Sequence, residues 1–302
     1  MSPLTKKLNK VMLNYITWTV SPNLIDGPLT VRWYGLMFAI GFYLGYEIVS
    51  RIFKHEGAPE RWLGSLFIYV VLATIIGARL GHVFFYEWDV YKQHPADIFK
   101  VWEGGLASHG GTLGIMIAVV LFSHFVTKGK GLLWTFDRLV VPTGLVAALI
   151  RLGNLMNHEI YGGPTDLPWG FRFVDNVSQW MAGADPVFTP PCHPTQLYEA
   201  LCYLLVFGLC MWLYWRRNAQ ERPGLIFGVF MLGIFVPRFF IEYLKNVQVA
   251  REIAMRQTLG MDIGQMLSIP FIILGLWLVV RALRRERVHI DYPNRFADEK
   301  EK

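Results

Sequence analysis

Residues 140–154, VVPTGLVAALIRLGN, and residues 225–244, LIFGVFMLGIFVPRFFIEYL, read as runs built to lie in lipid, yet each carries one arginine, Arg151 and Arg238. A guanidinium keeps its proton at every reachable pH, so each must meet an anion or reach water. A charge inside a span is by default a functional-site hypothesis. The natural partner there is a phosphate from the membrane itself.

The composition agrees with that setting. Of 302 residues, 53% are hydrophobic and only 17% charged, against about 25% charged in a soluble domain. The expected fold is an all-α polytopic membrane protein with about seven transmembrane helices, near 33–53, 62–85, 107–127, 132–152, 196–216, 224–244 and 263–283. A bilayer needs roughly 17–25 residues for each. Residues 153–195 are polar, rich in Gly and Pro, and too long for a turn. The expected order is an N-terminal interfacial segment (1–32), four helices (33–152), a small extracytoplasmic head domain (153–195), three helices (196–283) and a charged cytoplasmic tail (284–302).

Lysines and arginines set the orientation. Arg51, Lys54, Arg61, Lys128, Lys130, Arg138, Arg216, Arg217, Arg222 and the tail collect on one side, which is therefore cytoplasmic. Lys6, Lys7 and Lys10 count against this arrangement, and no cleavage site marks a signal peptide after them. The net charge of +6 suits anionic lipid, and without a recognition module no nucleic-acid partner is expected. Cys192, Cys202 and Cys210 lack disulfide or metal spacing, and the histidines form no zinc pattern. No cofactor or metal is expected. No internal repeat is visible, which counts against an inverted-repeat transporter.

With this topology the uncommon polar residues fall at one depth. Tyr34 opens the first span and His109 the third; Arg151, Asn154, Asn157 and Glu159 close the fourth; Arg238 and Glu242 lie near the outer end of the sixth. Each has a plainer reading. Arg151 can snorkel to the interface, Asn154 can bond a neighbouring helix, and Arg238 and Glu242, spaced i, i+4, can neutralise one another. The spacing of Gly110 and Gly114 suits close helix packing. His109, beside two glycines, has room for a substrate, and an imidazole is a side chain suited to accepting a proton. Arg79 is either a helix contact or part of the site. His193-Pro194-Thr195-Gln196 reads as a capped helix start, with Glu199 a supporting partner.

These residues sit in RWYGLMFAIGF (32–42), GARLGHVFFY (77–86), GGLASHGGTLG (104–114), RLGNLMNHEIYGG (151–163), HPTQLYE (193–199), PRFFIEYLK (237–245) and GQMLSIP (264–270). On these motifs, spread over nearly the whole chain, the sequence resembles the prolipoprotein diacylglyceryl transferases. It departs from the family pattern at Ile150 (usually Gly), Leu155 (usually Phe), Arg32 (His in some members) and Ile234 (Tyr in some members). None of these changes removes a polar group from the 151–162 element.

The resemblance implies transfer of the diacylglyceryl group of phosphatidylglycerol to the lipobox cysteine thiol of a prelipoprotein, in a bacterial inner membrane, with the active site facing outward. It implies His109 as base and Arg151 and Arg238 on the lipid headgroup. Asn154, Asn157, Glu159, Gly162 and Glu242 would support them, and Tyr34 would hold the lipid or the base. Glu159 remains a rival for the base. The other readings are a transporter of lipid or anions, and a phosphatidylglycerol-consuming enzyme with a non-thiol acceptor. Arg151→Ala is expected to abolish lipid use in a folded protein, with poor rescue by Lys, which lacks the planar fork. Turnover by purified variants at matched expression measures this.

Overall fold

The computed structural model describes residues 15–27, 30–101, 105, 107–245 and 260–290. Expectations for residues 1–14, 28–29, 246–259 and 291–302 lie outside the described residues.

The elements run β1 (Ile16–Thr17), β2 (Asn23–Ile25), β3 (Val31–Arg32), α1 (Trp33–His55), α2 (Glu60–Phe85), α3 (Trp88–Tyr91), α4 (Ser108–Phe125), α5 (Leu132–Met156), β4 (Phe171–Arg172), α6 (Val177–Met181), α7 (Thr195–Arg217), α8 (Leu225–Glu242) and α9 (Ile263–Arg284). Among the described residues six helices are long and apolar enough to cross a membrane: α1, α2, α5, α7, α8 and α9. α4 is a seventh, shorter apolar helix.

The chain forms two compact units. The first takes its described residues from Met1–Gly45, Val141–Arg217 and Gly228–Arg281, the second from Tyr46–Val140, Asn218–Phe227 and Ala282–Lys302.

In the first unit, α5 approaches α7 closely because Gly144 has no side chain: a Cβ there would lie 2.8 Å from the Tyr203 carbonyl oxygen and 3.0 Å from the Phe207 nitrogen. Ala148, Ala200 and Tyr203 fill the resulting core. The start of α9 is a capping box, with the Gln265 N–H donating to Asp262 Oδ1 (2.8 Å) and the Asp262 N–H to Gln265 Oε1 (3.1 Å). Gln265 Nε2 also donates to the Phe239 carbonyl near the end of α8 (3.2 Å). That satisfies an acceptor which the tightened last turn leaves open.

The 153–195 segment folds over a small core of Leu155, Phe171, Phe173 and Cys192, with Trp18, Tyr161 and Leu197 packed against it. Part of the N-terminal segment belongs to this fold. β1 pairs in parallel with β4, Ile16 opposite Phe171, and Trp18 Nε1 donates to the Leu155 carbonyl (3.1 Å). β2 and β3 form an antiparallel pair leading into α1.

In the second unit, α2 and α4 meet through glycines. A Cβ on Gly81 would lie 2.7 Å from Gly110 Cα, and Gly77 and Gly114 are equally tight against the facing backbone. The Gly110–Gly114 spacing thus serves close packing. Arg138, fully buried, is held by Glu56 (Nη2 to Oε2, 2.9 Å), whose carboxylate also accepts from Trp134 Nε1 (3.1 Å). Its charge is spent inside the protein rather than on a solvated face. Asp137 accepts from the N–H groups of Gly224 (2.7 Å) and Phe227 (2.9 Å), capping the start of α8.

Buried His158 follows α5 and joins Val20 of the N-terminal segment to Val174 of the 153–195 segment. Its Nε2 lies 2.9 Å from the Val20 carbonyl, and its Nδ1 accepts from the Val174 N–H (3.1 Å). Both bonds are made at once only by the neutral ring protonated at Nε2. Burial holds the His158 pKa below its ordinary value. A depressed histidine pKa contributes stability that is full above the unfolded pKa, about 6.5, and is lost as pH falls through the folded one. Protection of the Val174 amide, corrected for intrinsic exchange, is expected to drop between about pH 7.5 and about pH 5. His158→Phe should remove that dependence; unchanged protection in the natural protein would contradict the role.

Candidate active site

Arg151 lies near the end of α5 and Glu199 one turn into α7, so the close approach at Gly144 sets up the central contact. Arg151 Nε stands 2.6 Å from Glu199 Oε2, with the carboxylate fully buried and the guanidinium 15% exposed. Arg151 Nη1 donates to Asn154 Oδ1 (3.1 Å), three residues on along the same helix face. Asn154 Nδ2 in turn donates to Glu159 Oε1 (2.8 Å), and Asn157 Nδ2 to the same oxygen (3.1 Å).

The turn carrying Glu159 is held from both sides. His158 and Ile160 have φ of 56° and 60°, a left-handed backbone that branched Ile rarely adopts. The fully buried Gln196 donates to the Glu159 carbonyl (2.7 Å), and the Thr195 hydroxyl to the Ile160 carbonyl (2.9 Å). The HPTQ stretch therefore fixes the Glu159 turn through side chains, in addition to beginning α7. Tyr34, at the start of α1, packs on Gly153, where a Cβ would meet its ring at 2.8 Å. It lies within electrostatic range of both Arg151 and Glu159.

Glu242 does not pair with Arg238. After α8 the chain tightens, the Lys245 N–H donating to the Glu242 carbonyl (3.0 Å). This brings Lys245 Nζ to 3.2 Å from Glu242 Oε2 and 2.9 Å from Glu199 Oε1. The expected i, i+4 pair loses to this nearer cation. Among the described residues Arg238, half-buried, makes no hydrogen bond or ion pair. It lies in electrostatic range of the buried Tyr203, as does Arg151.

Gly162 has a steric role in this arrangement. A Cβ there would meet the Leu244 carbonyl oxygen at 2.5 Å and both His193 and Thr195 at 2.8 Å. Gly162 and Lys245 form an antiparallel bridge, and the Gly163 N–H donates to the Leu244 carbonyl (2.7 Å). A side chain at 162 would push away the backbone that delivers Lys245.

Of the residues expected from sequence, Tyr34, Arg151, Asn154, Asn157, Glu159, Gly162, Arg238 and Glu242 belong to the first unit; His109 belongs to the second. His109 is exposed in the first turn of α4, which is seated by the Ala107 N–H on the Ala78 carbonyl (2.9 Å). Arg79 resolves towards positioning: buried beneath Tyr91, it donates to the carbonyls of Ile98 (2.9 Å) and Asp97 in the loop before α4. Sequence reasoning missed Lys245, Tyr203 and Gln196. The available signals were spacing: Lys245 three residues after Glu242, and Tyr203 four after Glu199 on one helical face.

A family profile described as prolipoprotein diacylglyceryl transferase matches residues 22–281. This chain belongs to that family. Similar relatives include proteins named phosphatidylglycerol–prolipoprotein diacylglyceryl transferase from Porphyromonas gingivalis, 53% identical over 89% of this chain and 95% of the relative. Those from Chloroherpeton thalassium (43%, over 91% of this chain and 97% of the relative) and Tolumonas auensis (42%, over 89% and 98%) carry the same name. Together with the apolar helices, membership of this diacylglyceryl transferase family makes the chain a multi-pass membrane protein.

Gly162→Ala is expected to lower activity by about tenfold or more, since overpacking against backbone costs about 1–3 kcal/mol locally. Gly208→Ala on α7, where nothing lies within 4 Å of an added Cβ, is expected to be neutral. Turnover and melting temperature of the two variants side by side measure the contrast.

Proposed function

We propose that this chain transfers the diacylglyceryl group of phosphatidylglycerol to the lipobox cysteine thiol of prelipoproteins, at the outer face of a bacterial inner membrane. The observation that carries the reading is the charge arrangement around Tyr203. Arg151 is anchored by Glu199 and Asn154, while Arg238 has no anionic partner among the described residues. Two guanidinium groups within electrostatic range of one phenol suit the single negative charge and several oxygens of a phosphodiester. The relatives' names, at up to 53% identity among those compared, supply the chemistry.

In the reaction the cysteine thiol gives its proton to His109 Nε2 or Nδ1, and the thiolate attacks the glyceryl carbon that bears the phosphate. The carbon–sulfur bond forms as the carbon–oxygen bond breaks. The bonding pair leaves with glycerol phosphate, which carries one more negative charge than the diester did. Arg151 and Arg238 stabilise that developing charge in surroundings poor in water, where such contacts are strongest. A free cysteine of pKa about 8.5 is mostly protonated at neutral pH, so a base is needed. Glu159 is less suited to that task, because two amide donors already occupy its Oε1. We assign it to holding Asn154 and Asn157, and Tyr34 to the wall beside Arg151. The 153–195 segment with β1 would form the extracytoplasmic head.

The test uses detergent-purified protein, headgroup-labelled phosphatidylglycerol and a lipobox peptide beside its Cys→Ser twin. Glycerol phosphate release that needs the thiol, with the peptide gaining a diacylglyceryl mass, is expected. Release without peptide would identify a hydrolase, and silence from a folded, lipid-binding protein would favour transport. Arg238→Ala should cost on the order of 3 kcal/mol in barrier, about a hundredfold in rate. His109→Gln should be nearly inactive; full activity would return the base role to Glu159.

A further inference from the structure

We infer that Lys245 is a positioning residue for the phosphate site, keeping Glu199 from closing on the Arg151 fork. The inference rests on the proposed use of Arg151 for the lipid headgroup.

An arginine and a carboxylate left alone adopt a bidentate arrangement, two parallel N–H···O bonds closing the fork. Glu199 and Arg151 are placed to do so: the carboxylate is fully buried, with the guanidinium 2.6 Å away. The closest approach nonetheless runs from Nε to Oε2, without the two directed hydrogen bonds of a closed fork. Oε1 of Glu199 is taken by Lys245 Nζ at 2.9 Å, and Oε2, beside Arg151, accepts no well-directed hydrogen bond. Arg151 Nη1 turns instead to Asn154. One buried carboxylate is thus shared by two cations, and the shared geometry leaves N–H groups of Arg151 for an incoming phosphate.

Charge bookkeeping points the same way. Three formal positive charges, on Arg151, Arg238 and Lys245, stand with three formal negative charges, on Glu159, Glu199 and Glu242, before the lipid arrives. Without Lys245 the set carries one net negative charge, and Glu199 is free to swing both oxygens onto Arg151. An anionic headgroup must then compete with a buried carboxylate. Lys245 itself is held from two directions, by Glu242 through its side chain and by Gly162 through the backbone bridge. Its side chain is only 12% exposed, so it contributes through Glu199 rather than as a surface charge.

The experiment measures kcat and KM for phosphatidylglycerol with a lipobox peptide, and separately the Kd for phosphatidylglycerol alone. Lys245→Gln is expected to raise KM and Kd about tenfold with kcat within about twofold, the pattern of lost ground-state binding. Lys245→Arg, which retains the charge, should stay within about threefold of the natural protein. Adding Glu199→Gln to Lys245→Gln should lower KM again, because a neutral amide no longer competes for Arg151. An unchanged Kd in Lys245→Gln, an equal loss in kcat, or a further KM rise on adding Glu199→Gln would overturn the inference. Should Lys245→Gln fail to fold, Lys245→Met, an uncharged side chain of similar length, decides: a Kd about tenfold above the natural value supports the inference, and one within about twofold overturns it. A natural protein that binds phosphatidylglycerol without transferring it would overturn the transferase reading, leaving Lys245 to be judged on Kd.

Discussion

A fully buried carboxylate, Glu199, is the point on which the end of α5, the start of α7 and the turn after α8 are tied together. Removing one partner from such a buried ion pair costs about 3–5 kcal/mol, because the remaining charge is left without compensation. Arg151 and Lys245 are therefore held where they are by Glu199 more than by their own helices. The arrangement does not maximise stability, since well-packed apolar side chains of similar volume often do as well or better. What the ion pairs provide is direction: a guanidinium aimed along one line, with part of its fork open.

Around that pair the remaining polar groups are graded. Asn154 and Asn157 relay from Arg151 to Glu159, and Gln196 and Thr195 fix the backbone of the Glu159 turn. None of these groups needs to touch the reacting atoms to matter. A guanidinium displaced by an ångström loses much of its value to a transition state. The two left-handed residues, His158 and Ile160, are the strained part of this support, and the side chains of α7 keep them in place.

Much of this was legible in the sequence where the physics is local. The spans could be read because lipid demands long uninterrupted apolar runs, and α5, α7 and α9 begin and end within a few residues of expectation. Arg151, Asn154, Asn157 and Glu159 could be grouped because they lie within three turns of one another. Interactions between distant segments could not be read. The i, i+4 spacing of Arg238 and Glu242 suggested a pair, but spacing cannot report a nearer competitor, and Lys245 is one. The pairing of β1 with β4 was invisible because two-residue strands have no period. Gly162 looked like part of a binding shell, and only the facing Leu244 carbonyl reveals that it makes room for backbone.

The order of the charges along the chain has a consequence for biogenesis. Arg151 lies in α5, Glu199 in α7 and Lys245 beyond α8, so synthesis from the N-terminus delivers the arginine to the bilayer well before either ion partner exists. Until α7 arrives, α5 holds an uncompensated guanidinium whose cheapest refuge is the water at the membrane surface. Placing Arg151 near the end of its helix keeps that refuge within reach. A fourth span seated shallowly until the later helices insert is the arrangement that this order of charges favours.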